Sequence, residues 1–199
     1  MTTTGSPDPA ERTRPLRVDA RRNRARLLEV ARDTFATEGL AVPIDEIARR
    51  AGVGAGTVYR HFPTKESLFE AILLSDVEKL VAEARSLVDS DDPGGTFFAF
   101  CTRMVEDGAT NRALTDALTG VNIDVEAAIA TATGDLHRAL AVLLVRAQEA
   151  GVVRDDVGAA ELRGLLVGTC LAAERSAKDT AVVGRMVAVV CDGLRRSRS

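Results

Sequence analysis

PIDEIARRAGVGAGTVYRHF, residues 43–62, is the stretch whose reading decides the fold. Pro43 suits the first turn of a short helix, in which Ile44, Ile47, Ala48 and Ala51 fall on one apolar stripe until Gly52 ends it. After Gly52-Val53-Gly54, a second short helix places Val58 and Phe62 four residues apart, able to face inward. Thr57, Tyr59, Arg60 and His61 are then left outward. Two short helices with a glycine turn, braced on one side and polar on the other, form a helix-turn-helix. The width of the major groove admits one such helix.

Outward from that stretch, the flanking sequence is helical. Asp19 is a plausible N-cap for a helix in which Leu27, Leu28, Ala31 and Phe35 recur at helical spacing until Gly39. Residues 1–18 lack periodicity and read as a disordered basic arm, and residues 19–65 as a three-helix DNA-binding domain. Beyond Pro63, the residues Leu68, Phe69, Ile72, Leu73, Val77 and Leu80 predict a long fourth helix to about Val88. Asp89–Gly95 reads as a linker or loop, with a boundary expected there. A helix around Phe97–Val105, a short one at Leu114 and Leu118, a longer one from Ile129 to Ala147, and two more over Ala159–Lys178 and Ala181–Arg195 complete an all-α chain of about nine helices. Residues 66–199 are expected to form a helical bundle for effector binding and dimerisation.

Composition agrees with helices. In 199 residues, aromatics are 4% and Trp is absent, which favours close helix packing over sheets. The net charge of -3 hides an uneven distribution: residues 1–65 hold 12 Lys and Arg against 8 Asp and Glu, and the remainder is net acidic. Between residues 12 and 26 only Asp19 opposes seven arginines, a density suited to a phosphate backbone. A solvated tail is the alternative reading of that run. The three cysteines, Cys101, Cys170 and Cys191, have no paired spacing, so neither a disulfide framework nor a zinc site is expected. Apolar runs are too short to span a membrane and no secretory signal is legible, so the cytoplasm, at the nucleoid, is the expected address.

The segments Ile44-Asp45-Glu46-Ile47-Ala48 and Ala51-Gly52-Val53, with Gly56-Thr57-Val58-Tyr59-Arg60-His61-Phe62-Pro63-Thr64-Lys65, resemble the TetR family of regulators. The resemblance covers about residues 20–75. It implies that Thr57 and Tyr59 reach bases or phosphates, that His61 and Lys65 touch the backbone, and that Arg21 or Arg22 adds a contact from the first helix. Arg60 completes the outward set. Gly54 and Ala55 depart from the commoner family pattern, and with Gly56 following them base reading shifts toward close backbone approach, the Ala55 methyl against thymine, and DNA shape. The partner so implied is a double-stranded, pseudo-palindromic operator, bound by a homodimer.

The resemblance also implies an effector pocket after the fourth helix. Phe97, Phe100, Cys101 and Met104, with Leu140, Leu144 and Cys170, are its candidates and favour an apolar small molecule, although such a stripe reads equally as ordinary core. Gly164, Gly168 and Ala172, with Gly184 and Ala188, form small-residue strips at four-residue spacing, read as the dimer interface against the competing reading of intrachain packing.

Other chemistries find little support. Gly52-Val53-Gly54-Ala55-Gly56 follows a helix rather than a strand, against a dinucleotide fingerprint, and it lacks the ending of a phosphate-binding loop. His61 and His137 stand apart, with no ligand spacing or nucleophile motif, so no metal, cofactor or catalytic residue is expected. A regulator without an effector, and a helical adaptor or enzyme with a solubilising arm, are the alternatives.

Overall fold

Pro9 opens the first helix of the computed structural model, which describes residues 9–117, 125–175 and 179–196, as backbone only over 9–21, 109–117 and 125–130. The helices are α1 (Pro9–Glu38), α2 (Ile44–Ala51), α3 (Ala55–His61), α4 (Lys65–Ser86), α5 (Pro93–Ala117), α6 (Val125–Glu149), α7 (Ala159–Arg175) and α8 (Thr180–Leu194). Among the described residues there is no strand, only an isolated antiparallel bridge between Val153 and Arg195. No helix there is long and apolar enough to cross a membrane.

Three expectations are corrected. Residues 9–18 are helical, continuous with the segment expected to start at Asp19, while residues 1–8 lie outside the described residues. Arg, Ala and Glu supply half of these residues and favour a helix without needing an apolar stripe, while Pro9 sits at its first position and Pro15 gives no sequence sign of it. The separate short helix at Leu114 does not exist: α5 runs unbroken from Pro93 through Ala117, and Leu118 lies outside the described residues. Eight helices are present among the described residues, close to the nine expected. Gly108, inside α5, is a packing glycine and not a stop, since a Cβ there would lie 2.7 Å from the Cys170 Sγ of α7. The linker or loop expected at Asp89–Gly95 is in part the connection from α4 to α5, whose first residue is Pro93, and the boundary expected there falls instead between residues 72 and 73.

The chain forms two compact units, residues 1–72 and 73–199. The N-terminal unit thus takes in the first two turns of α4 rather than ending at residue 65, and Leu68, Phe69 and Ile72 are buried with Leu27, Leu28, Ala31 and Phe35 of α1. In the C-terminal unit the core is built around α5. Phe97, Phe100, Cys101 and Val105 are buried there with Leu140 and Leu144 of α6, Leu162 and Leu166 of α7, and Val187 and Cys191 of α8. Phe97 and Phe98 meet edge to face with ring centroids 5.3 Å apart. Asp179 caps α8, its Oδ1 accepting from the backbone N–H groups of Ala181 and Val182 at 3.1 Å.

Candidate nucleic-acid interface

The helix-turn-helix is held from inside by few residues. Ile44, Ile47, Ala48 and Ala51 bury the expected face of α2, with Asp45 and Glu46 in its first turn and Arg49 and Arg50 in its last, matching the helix dipole. Gly52 follows with φ of 68°, in the left-handed region that glycine enters without a Cβ penalty. Its N–H reaches the Arg49 carbonyl at 3.1 Å and that of Val53 reaches the Ala48 carbonyl at 3.0 Å, which turns the chain sharply into α3. The Gly54 carbonyl accepts from Thr57 and Val58, at 2.9 and 3.2 Å, starting the new helix.

Within α3, Val58 is fully buried, and Phe62, just past the helix end, is 5% exposed. Gly54, Gly56, Thr57, Tyr59, Arg60 and His61 are exposed, and Ala55 is half-buried. Tyr59 keeps 44% of its surface accessible, a large aromatic with a hydroxyl tip facing outward. Thr57, Tyr59, Arg60 and His61 are therefore all on the solvent-accessible part of α3, opposite or flanking the buried Val58. Arg22 is exposed on α1, whereas the side chain of Arg21 lies outside the described residues.

Lys65, expected to touch the DNA backbone, also has a partner within the chain. It is half-buried, and its Nζ donates to the Leu40 carbonyl at 2.6 Å, tying the start of α4 to the turn after α1. An ammonium carries three N–H groups, so this bond spends one of them and fixes where the others point. Thr64 and Ser67 cap α4 reciprocally: the Ser67 N–H donates to the Thr64 Oγ1 at 3.1 Å and the Thr64 N–H to the Ser67 Oγ at 3.2 Å.

A charged network fixes α2 against the end of α1. Arg50 bridges Glu46, at 2.8 Å from Nε to Oε1, and Glu38 of α1, while Arg49 also grips Glu46 through two bonds of 2.7 Å. Hydrogen bonds from Arg49 and then Arg50 hold the Glu46 carboxyl down to a pKa of about 2, and the Arg50 guanidinium lowers that of Glu38. A carboxylate whose pKa falls on folding stabilises the fold above its unfolded value near 4.5, and that contribution is lost as pH drops toward 2. The urea midpoint of the native protein should therefore exceed that of Glu46→Gln at pH 6, with the gap closing between about pH 4.5 and pH 2. A gap independent of pH contradicts the network.

Among the described residues the ligand candidates belong to the buried core. Phe97, Phe100, Cys101, Leu140 and Leu144 are at most 2% exposed, packed against one another in the core, with Met104 and Cys170 partly buried at its edge. Burial pushes the Cys101 thiol well above its usual range. Cys170 turns its Sγ toward the carbonyls of Met104 and Val105, at 3.8 and 3.9 Å. The sequence showed an apolar stripe, which core and pocket share. What it missed is a groove of about 440 Å3 between α4 and α6, bordered by Leu74, Glu78, Val81, Arg85, Thr131 and Asp135. An ion pair of 3.7 Å joins Arg85 to Asp135 there. Charged residues at helical spacing gave no sign of it. His137 is half-buried on α6, and burial, then the charge of Arg163, lowers its pKa.

The small-residue strips lie on the outside. Cβ atoms built at Gly164, Gly168 and Gly184 meet nothing within 4 Å, Gly184 and Ala188 are exposed, and Ala172 is half-buried. Gly164, Gly168 and Ala172 border an open groove of about 610 Å3 with Leu165, Met186 and Val189. Val189 is 72% exposed.

A buried-backed, polar-faced α3 following a glycine turn, joined to a separate helical unit, defines a helix-turn-helix protein with a second, C-terminal domain. Residues 27–72 match the family model of the bacterial regulatory proteins of the tetR family, and residues 92–196 that of the SbtR-like transcriptional regulator C-terminal domain. A TetR transcription regulatory protein from Mycobacterium vanbaalenii shares 49% identity, covering 91% of this chain and 99% of that one, with a TM-score of 0.74. A TetR transcriptional regulator from Streptomyces coelicolor is 31% identical over 88% of this chain and 99% of its own, also at 0.74. HTH-type transcriptional regulators of Staphylococcus aureus are 33% identical over 75 residues, 37% of this chain, and the match spans 40% of their length. The chain belongs to the TetR family of bacterial transcriptional regulators.

Proposed function

We propose that this protein is a sequence-specific DNA-binding regulator and not an enzyme, acting as a homodimeric repressor that leaves a pseudo-palindromic operator when a small molecule binds. The observation that carries the reading is the two-sidedness of α3: Val58 is sealed inside, while Thr57, Tyr59, Arg60 and His61 stand in solvent beside one another. Arg22, and Arg21 from the same turn of α1, supply further charge for phosphates. Gly54 and Gly56 bring the backbone close to the groove wall, and Ala55 offers a methyl to thymine.

Pairing through α7 and α8 is supported by the outward glycine strip and the apolar residues around it. An exposed apolar face with Arg185 at its border is costly to leave in water, and a second copy covers it with an identical face. Packing within the chain, the competing reading, has no partner atoms at Gly164, Gly168 or Gly184. For the effector, the groove between α4 and α6 is better supported than the packed stripe around Phe97. Its border of Glu78, Arg85 and Asp135 fits a molecule with polar or charged groups rather than the apolar one expected from the sequence. Entry there separates the Arg85–Asp135 pair and shifts α4 relative to α6, so ligand and operator favour different states.

The test starts by selecting bound duplexes from genomic fragments at low salt and measuring affinity for the recovered sequence. Tyr59→Ala should keep the dimer and the thermal midpoint while weakening operator binding at least about tenfold, with binding of unrelated DNA little changed. Equal affinity for operator and unrelated duplexes in both proteins would falsify sequence-specific binding.

A further inference from the structure

We propose that the cavity between α1 and α3 seats one sugar-phosphate unit of the operator backbone, with Arg24 and Asn23 as the residues that hold its phosphate. The inference rests on the helix-turn-helix reading above and adds to it a defined seat, which turns one arginine of the basic run, Arg24, with Asn23, into a particular contact. The cavity measures about 330 Å3. Its floor is apolar, built by Leu27 of α1, Val53 of the turn and Phe62 after α3. Its rim carries Asn23, Arg24 and Arg60. No carboxylate borders it among the described residues, and no ion pair to Arg24 or Arg60 occurs among them.

That combination selects for one chemistry. An apolar floor suits the C–H face of a deoxyribose, and two guanidiniums with a carboxamide suit the non-bridging oxygens of a phosphodiester, each N–H donating to an oxygen. A free anion would use the rim and leave the floor wet, and an apolar molecule would use the floor and bury unmatched charge. The wall shared with α3 fixes the source of the phosphate. Thr57 and His61, which border the same cavity, belong to the outward side of α3, so a strand flanking that helix in a groove passes here.

Arg24 is prepared for the role before DNA arrives. Its guanidinium carbon lies 5.8 Å from the centroid of the Phe62 ring, and the buried ring, 5% exposed, is itself fixed. Stacking of this kind orders a long side chain in advance, so less conformational freedom is lost when the phosphate binds. It also links the two contacts: the residue that grips the backbone rests on the residue that ends the reading helix.

The experiment uses the full chain and the selected operator duplex, with affinity measured across a salt series for the native protein, Arg24→Gln, Arg24→Lys and Asn23→Ala. Arg24→Gln should weaken binding about tenfold per half-site, equally on operator variants, and flatten the plot of log affinity against log salt by about one per half-site. Arg24→Lys should retain the slope and recover part of the affinity, and Asn23→Ala should lose affinity at unchanged slope. A methylphosphonate placed at one phosphate per half-site should reproduce the loss in the native protein and add nothing to Arg24→Gln. A native protein that binds while Arg24→Gln keeps both affinity and slope overturns the seat alone. So does a loss at unchanged slope with a lowered thermal midpoint, which marks a purely structural residue. A native protein that binds no duplex at low salt overturns the seat together with the DNA reading.

Discussion

Gly168→Arg should yield a folded monomer that binds the operator at least about a hundredfold more weakly than the native protein. The substitution is harmless within the chain: Gly168 is exposed on α7, a Cβ there meets nothing within 4 Å, and Arg is the better helix former by several tenths of a kcal/mol. Between two copies it is severe. A two-fold interface places the same residue on both sides, so two guanidiniums enter an apolar face lined by Leu165, Met186 and Val189. An uncompensated buried charge costs about 3–5 kcal/mol, enough to dissociate most dimers at micromolar concentration. Light scattering gives the mass, the thermal midpoint reports folding, and titration of the duplex gives affinity. A variant that remains dimeric with native affinity would place the interface elsewhere.

Phe97→Ala should lower the unfolding free energy by about 3–5 kcal/mol, a large share of what a domain of this size possesses. Phe97 is fully buried in α5 and packs against the Phe98 ring, so truncation leaves a void that the surrounding helices cannot close. The same variant separates the two readings of the stripe from Phe97 to Met104. A side chain bordering an open effector cavity already has space on one side, and shortening it costs little. A loss below about 1 kcal/mol in urea unfolding would return Phe97 to the wall of a cavity.

Both variants turn on distinctions that local sequence does not carry. The spacing of Gly164, Gly168 and Ala172 is legible, but whether the strip faces a neighbouring helix or another molecule depends on which side of α7 meets α5. Likewise an apolar period marks the inward face of α5 without saying whether that interior is filled. The helix-turn-helix was readable because its determinants are local: the stripe from Ile44 to Ala51, the left-handed Gly52, and Val58 with Phe62 four residues on. The packing role of Gly108 has no local signal, since the Cys170 sulfur, 2.7 Å from where a Cβ would sit, lies 62 residues away in the chain. The bond from Lys65 to the Leu40 carbonyl spans 25 residues and has no local signal either. Residues 9–18 were taken for an arm because a helix without a core to cover has no apolar period to show.

The most direct measurement is dimethyl sulfate protection of the selected operator, which probes guanine N7 in the major groove and adenine N3 in the minor groove of the same duplex. Insertion of α3 from each protomer predicts two patches of protected guanine N7, their centres about 10 base pairs or a multiple apart. Protection confined to adenine N3, or a bound duplex with guanine N7 reactive throughout, would contradict the placement of residues 43–62 in the major groove.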